Sequence, residues 1–325
     1  MTFRSLILAA ALAATAPAAF AAGPVETFVE IPGGPGPLKG TMLAPADGNK
    51  GPAILILAGS GPTDRDGNNP LGVKGATYRL LAEALAARGV TTLRVDKRGM
   101  FASGAASDNP NGVTVVDLAA DARGWATRLK ADTGAPCVWV LGHSEGSLVA
   151  LIAAQDPKDI CGLILAAAPG RRLSDVIREQ LTSNPANAPI LGQALPALDA
   201  LEAGKKVDTT GMNPALMGLF HPVIQDFLIV MFKQDPAKLA AAYNGRVLIL
   251  QGDADIQVSV ADASLLAAAH PDAKLMVLSG VNHLLKAGSR DRAETQANYA
   301  DPSLPLAPGV VDAIASFVKT QPGTN

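Results

Sequence analysis

Gly142-His143-Ser144-Glu145-Gly146 stands between an apolar, β-branched run, Val138-Trp139-Val140-Leu141, and a helix-forming stretch that begins Ser147-Leu148-Val149. The pattern reads as strand, sharp turn, helix, with Ser144 at the apex. Glycines two positions before and after the serine let the chain double back tightly, which pushes the hydroxyl out of the sheet edge. The N–H of Glu145 opens the following helix, so that amide and the positive helix terminus face the place where an oxyanion would form. In a chain with 32 Gly the five residues alone could be an ordinary turn, and the flanking strand and helix are what make Ser144 a candidate nucleophile.

A serine hydroxyl is a poor nucleophile at neutral pH, so it needs a base, and the base needs a group to hold its tautomer. Four histidines are available. His143 adjoins the nucleophile and should point to the opposite side of the turn, where packing is its role. His221 falls in a helical region, and His270 sits at a helix end before Pro271, a common place for a cation against the helix dipole. His283, in Gly280-Val281-Asn282-His283, follows the last strand's carboxyl end, where open α/β sheets place functional residues. It is the candidate base. By the same positional logic the acid comes from Gly252-Asp253-Ala254-Asp255-Ile256-Gln257-Val258, directly after a strand ending in Gln251. Asp255 is the choice and Asp253 the alternative, since the earlier position more often serves the turn itself. A second oxyanion donor belongs in the loop after the strand Ala53 to Ala58, and the Ser60 N–H is the candidate. Asp64, Arg65 and Asp66 either pair to brace this loop or stand solvated.

These residues need a scaffold. Glu26 to Ile31 and Leu38 to Leu43 alternate in polarity around a Gly/Pro cluster, as an antiparallel hairpin with one wet face does. Continuous apolar runs at Ala53–Ala58 and Gly162–Ala167 read as buried strands, and Thr91–Val95, Val138–Leu141, Arg246–Gln251 and Lys274–Leu278 as further strands of the same sheet. Helical periodicity separates them, near 76–87, 113–130 and 260–269, and closes the chain at 309–319. Such alternation argues for α/β architecture, a mostly parallel central sheet with helices on both faces. From 170 to 243 no buried strand is found, only helical periodicity interrupted by Pro185, Pro189, Pro196, Pro214, Pro222 and Pro236. That stretch is expected to be an inserted helical cap, leaving 22–169 and 244–325 as the core domain.

The 325 residues are 48% hydrophobic, enough for a sizeable core, and the formal net charge of −2 without any basic run leaves no electrostatic footprint for nucleic acid. One arginine, Arg4, precedes a short Ala/Leu run that ends in Ala19-Phe20-Ala21, the pattern of a cleaved secretory signal peptide over 1–21. No later stretch is expected to reach spanning length, so the mature protein should be periplasmic or secreted, without a membrane span. Cys137 and Cys161 each stand at the start of an expected strand. They are either a disulfide between neighbouring strands or two inert buried thiols. Neither carries a metal-binding pattern.

With serine, aspartate and histidine in that order, each after a strand, the chain resembles the α/β-hydrolase superfamily. Gly142-His143-Ser144-Glu145-Gly146 is similar to its nucleophile elbow, Asp96-Lys97-Arg98-Gly99 to its Asp-x-Arg-Gly loop, and Gly252-x-x-Asp255-x-x-Val258 to its acid turn. Gly59 to Gly67 and the tail Tyr299 to Leu306 resemble bacterial secreted carboxylesterases. One departure is Ala58-Gly59 where a His-Gly would precede the oxyanion loop. The resemblance implies hydrolysis of a small-molecule carboxylic ester, of short acyl chain, through an acyl-serine intermediate and without metal or organic cofactor. Ser144, His283 and Asp255 would be the triad, and the amides of Ser60 and Glu145 the oxyanion hole. Met212, Met217, Leu219, Phe220, Phe227, Leu228, Met231 and Phe232 offer apolar surface in the cap. Two rivals are a serine peptidase, which needs a cap carboxylate such as Glu202, Asp208 or Asp226 for a free amino terminus, and an inactive periplasmic binding protein. The oligomeric state is left open.

Overall fold

The computed structural model describes residues 23–48 and 51–320, so the expected signal peptide lies outside the described residues. The apolar runs become strands: β1 (Val25–Pro32), β2 (Pro37–Ala44), β3 (Ala53–Leu57), β4 (Thr91–Val95), β5 (Val138–His143), β6 (Ile160–Ala166), β7 (Arg246–Gly252) and β8 (Lys274–Leu278). They form one sheet in the order β1-β2-β4-β3-β5-β6-β7-β8. β2 pairs antiparallel with β1 and β4, and every pairing from β4 to β8 is parallel. The sheet is therefore mostly parallel, as the patterning implies. β3, β4 and β5 are buried along their whole length.

The helices are α1 (Thr77–Ala86), α2 (Val115–Thr133), α3 (Glu145–Ala153), α4 (Leu173–Thr182), α5 (Ala188–Glu202), α6 (Met217–Phe220), α7 (Gln225–Phe232), α8 (Pro236–Ala242), α9 (Val260–Ala269), α10 (Arg292–Ala300) and α11 (Val310–Lys319). Side chains alternate across each strand and so sort into two layers. Ile54, Ile56, Trp139, Leu141, Leu248 and Leu250 pack under α1 and α11. Leu55, Leu57, Val138, Val140, Val247 and Ile249 pack on the other face under α2, α3 and α9. Local signals agree with these elements: Thr114 and Asp117 form a capping box at the start of α2, and Gly134 ends it in a left-handed conformation. α10 has no apolar stripe and was not foreseen; Asp291 caps it through the Glu294 amide.

Between β6 and β7 the described chain is helical. The prolines that interrupt its periodicity mostly start helices, since Pro at the first turn loses no intrahelical bond. Pro185, Pro214, Pro222 and Pro236 all stand at such positions, whereas Pro196 lies inside α5. Leu198, Leu201, Phe220, Leu228, Met231 and Phe232 are buried and continuous with the sheet core on the α2 and α3 face. One expectation is corrected. Pro214–Phe232 is an apolar helical stretch of 19 residues with mean hydropathy 1.7, long enough to pass for a span by length and composition. Here the chain turns at His221 (φ −51°, ψ 135°), so it folds as separate short helices rather than one rod. Cys137 and Cys161 are joined in a disulfide with Cα atoms 5.2 Å apart, which settles that alternative.

Candidate active site

Ser144 sits at φ 54°, ψ −122°, a conformation L-residues rarely adopt, which costs about 1–3 kcal/mol and is found where surrounding structure enforces it. The two glycines of the motif are required by close approach and not by unusual dihedrals. A Cβ on Gly142 would lie 2.3 Å from the Gly146 carbonyl oxygen, and one on Gly146 would lie 2.4 Å from that of Leu57. The turn is pinned by the Ser144 N–H donating to the Ala166 carbonyl at 2.9 Å and by Ser147 Oγ donating to that of Gly142 at 2.7 Å.

His283 Nδ1 lies 2.7 Å from Asp255 Oδ2. Asp255 also accepts from the amides of Gln257 at 2.7 Å and Val258 at 3.0 Å, and from Gln251 Nε2 at 3.3 Å. Burial opposes ionisation of this carboxyl, but the facing His283, its hydrogen bond and the two amides together hold it below its ordinary value. It is therefore an anion at neutral pH, and the proton on His283 belongs at Nδ1, leaving the Nε2 lone pair as a base. Asp253 instead accepts from the Gly280 amide at 2.7 Å, a turn role as its position suggested. The loops after β7 and β8 are further joined by Asp253 N to Leu278 O and Ala254 N to Val281 O, both 3.1 Å. Behind His283, the Asn282 carboxamide accepts from the amides of Leu284 at 3.0 Å and Lys286 at 3.2 Å.

The packing role expected for His143 is corrected to a hydrogen-bonded one. Its Nε2 meets the His283 carbonyl at 2.7 Å and its Nδ1 meets Tyr78 Oη at 2.9 Å, and its ring lies 4.9 Å from that of His283. Burial lowers its pKa to about 3, so the imidazole is neutral. Burial also pushes the Tyr78 phenol up, so it keeps its proton. The Gly59 amide donates to Tyr78 Oη at 2.9 Å, which turns the phenol hydrogen toward Nδ1 and leaves Nε2–H to donate to the His283 carbonyl. His283 is thereby held against the turn that carries Ser144. Of the other histidines, His221 is exposed and accepts from the Val223 amide at 3.3 Å. His270 does stand at the end of α9, but buried against Tyr243 rather than on the surface.

The loop carrying Ser60 lies beside the elbow, because a Cβ on Gly59 would be 3.4 Å from Ser144 Cβ. Asp64, Arg65 and Asp66 do brace it, Arg65 and Asp66 by pairing with β4 and the residue just past it, Asp64 by closing the loop on itself. Arg65 bridges to Asp96 at 2.8 Å, Asp66 pairs with buried Arg94, and Asp64 accepts from the amides of Asp66 and Asn68. Lys97 was not singled out, yet its Nζ donates to the carbonyls of Gly59 at 2.5 Å and Gly61 at 3.1 Å and pairs with Glu145 at 3.2 Å. The available signal was Glu145 itself, since a carboxylate beside a buried turn calls for a cation. Among the carboxylates a peptidase would need, Glu202 pairs with Arg178 at 2.6 Å, Asp226 with Lys206 at 2.8 Å, and Asp208 accepts from the Thr210 amide at 2.9 Å. No cluster of three or more metal-ligating side chains occurs among the described residues.

A family model described as serine aminopeptidase, S33, matches residues 71–216, which hold the elbow but neither Asp255 nor His283. Esterase EstD of Thermotoga maritima is 26% identical over 258 residues, 77% of this chain, and the chain spans only 58% of that protein's length. Among solved structures, Est1E from Butyrivibrio proteoclasticus superposes with a TM-score of 0.52 at 16% identity, covering 87% of this chain and 92% of that one. Proline iminopeptidase of Mycobacterium smegmatis does so at 0.58 and 16% identity, covering 90% and 97%. These structures share the fold.

Proposed function

We propose that this chain, an α/β-hydrolase that resembles esterases, cleaves small carboxylic esters through an acyl intermediate on Ser144. The observation that carries the reading is the Asp255–His283 hydrogen bond, held against the strained turn of Ser144 by the His143 contact. His283 Nε2 takes the hydroxyl proton as Ser144 Oγ attacks the ester carbonyl carbon. The resulting oxyanion is held by the amides of Ser60 and Glu145, and collapse expels the alcohol with the proton from His283. Water then repeats the sequence and releases the acid. Asp255 orients His283 and balances the charge it gains.

The helical segment 170–243 is the cap in this reading. Phe220, Leu228, Met231 and Phe232 are committed to its packing and so do not line a long acyl groove, which favours short acyl chains. The disulfide supports an oxidising location, periplasmic or secreted. A peptidase is the second reading, favoured by the description of the matching family model.

The test is hydrolysis of p-nitrophenyl acetate, a longer acyl ester and an aminoacyl amide by the purified mature protein, beside Ser144→Ala and Asp255→Asn. Turnover of the acetyl ester is expected, with losses of about 10⁴-fold or more in Ser144→Ala and on the order of 10³- to 10⁴-fold in Asp255→Asn. Amide turnover without ester preference would move the peptidase reading forward. Folded protein inert to all three substrates would leave a binding role.

A further inference from the structure

The geometry points to Lys97 as the residue that orients the oxyanion hole, a role that rests on the serine-hydrolase reading above. A lysine ammonium has three donors, and those of Lys97 go to the Gly59 carbonyl, the Gly61 carbonyl and the Glu145 carboxylate. The peptide joining Gly59 to Ser60 is planar and trans, so its C=O and N–H point in opposite directions. Gripping the Gly59 oxygen from one side therefore turns the Ser60 N–H the other way. The preceding peptide is fixed separately, by the Gly59 amide on Tyr78 Oη. Gly59, free of a Cβ, would otherwise leave that peptide wide latitude to rotate.

The far end of the contact is as telling. Glu145 supplies the second amide of the hole, and its buried carboxylate anchors the same ammonium. One cation thus joins the two residues whose N–H groups must converge on a single oxygen. Lys97 reaches the reaction only through backbone, so it is a positioning residue.

Steady-state hydrolysis of p-nitrophenyl acetate and the affinity for a trifluoromethyl ketone, whose hemiketal mimics the tetrahedral intermediate, separate this role from general support of the fold. Lys97→Met is expected to lower kcat about 100-fold, near the loss of one oxyanion donor, with KM within about twofold. Ketone affinity should fall in parallel with kcat. Glu145→Gln keeps the amide and loosens the anchor, so the same two quantities should fall by about tenfold; it decides the matter if Lys97→Met does not fold. Unchanged kcat and ketone affinity, or a fall in kcat with ketone affinity unchanged, would overturn the role of Lys97. Wild-type protein that neither turns over the ester nor is labelled on Ser144 by a fluorophosphonate would instead overturn the hydrolase reading, and this inference with it.

Discussion

Ser144 holds a backbone conformation that suits glycine better than any L-residue, and a fold keeps such a residue only when its neighbours enforce it. Stability and activity should therefore separate at this position. Ser144→Gly is expected to raise unfolding stability by about 1 kcal/mol, the relief of strain less the entropy glycine adds to the unfolded chain. Ser144→Ala keeps the strain and should leave stability near that of the parent. Calorimetry of the two variants checks this, and equal transition temperatures would show that the turn stores no strain. Next to it, His143 was legible only as a neighbour of Ser144. Its partners, Tyr78 and the His283 carbonyl, lie 65 and 140 residues away along the chain, a relation no local pattern carries.

At the scale of elements, the site is four loops at the carboxyl ends of β3, β5, β7 and β8, and neutral His143 connects three of them, the acid turn after β7 being joined through His283. The Gly59 loop reaches it through Tyr78 and the His283 loop through a backbone carbonyl. Its neutrality has a pH consequence. In the unfolded chain this imidazole takes up a proton below its ordinary value of 6.5, whereas in the folded chain it does so only near 3. The unfolded state binds more protons across that window, so stability is whole above about pH 6.5 and drains as pH falls toward 3. The full effect is on the order of a few kcal/mol. Asp255 adds to the loss at the acid end, because its folded value is depressed and its contribution disappears as pH falls through it. Denaturant unfolding from pH 8 to 4 should show a slope in the parent that is reduced in His143→Gln. Parallel curves for the two proteins would rule out His143 as its source.

Across the whole molecule, the disulfide staples β5 to β6 at the end of the sheet where those strands begin, opposite the Ser144 turn. The closed loop spans a sequence separation of 24, for which the chain-entropy estimate is about 3 kcal/mol. Replacing both cysteines by alanine is expected to lower stability by about that amount with kcat unchanged, since the bridge lies at the opposite end of those strands from Ser144. A concurrent fall in kcat would mean that the strand register reaches the elbow. The same sheet explains the tail. Lys286, buried and with its pKa lowered by that burial, donates to the Asp301 carbonyl at 3.2 Å, and Tyr299 Oη meets Gln257 Nε2 at 2.5 Å. The segment after the histidine loop thereby backs both that loop and the acid turn.

The sequence by itself determined the strands of the parallel sheet, their main covering helices, the turn at Ser144 and the place of His283 past the last strand, and it narrowed the acid to Asp255 or Asp253. Each depends on local periodicity or on a residue's place just past a strand end, and both are written in consecutive residues. Only the tertiary structure decided how that site is braced, through the Lys97 contacts across the Ser60 loop, the neutral His143 link and the pairing of Arg65 with Asp96 and of Asp66 with Arg94, and that Cys137 and Cys161 are joined. These are contacts between segments far apart in the chain. They form because the sheet order sets β4, β3, β5 and β6 side by side, and neither composition nor spacing encodes which polar groups then meet.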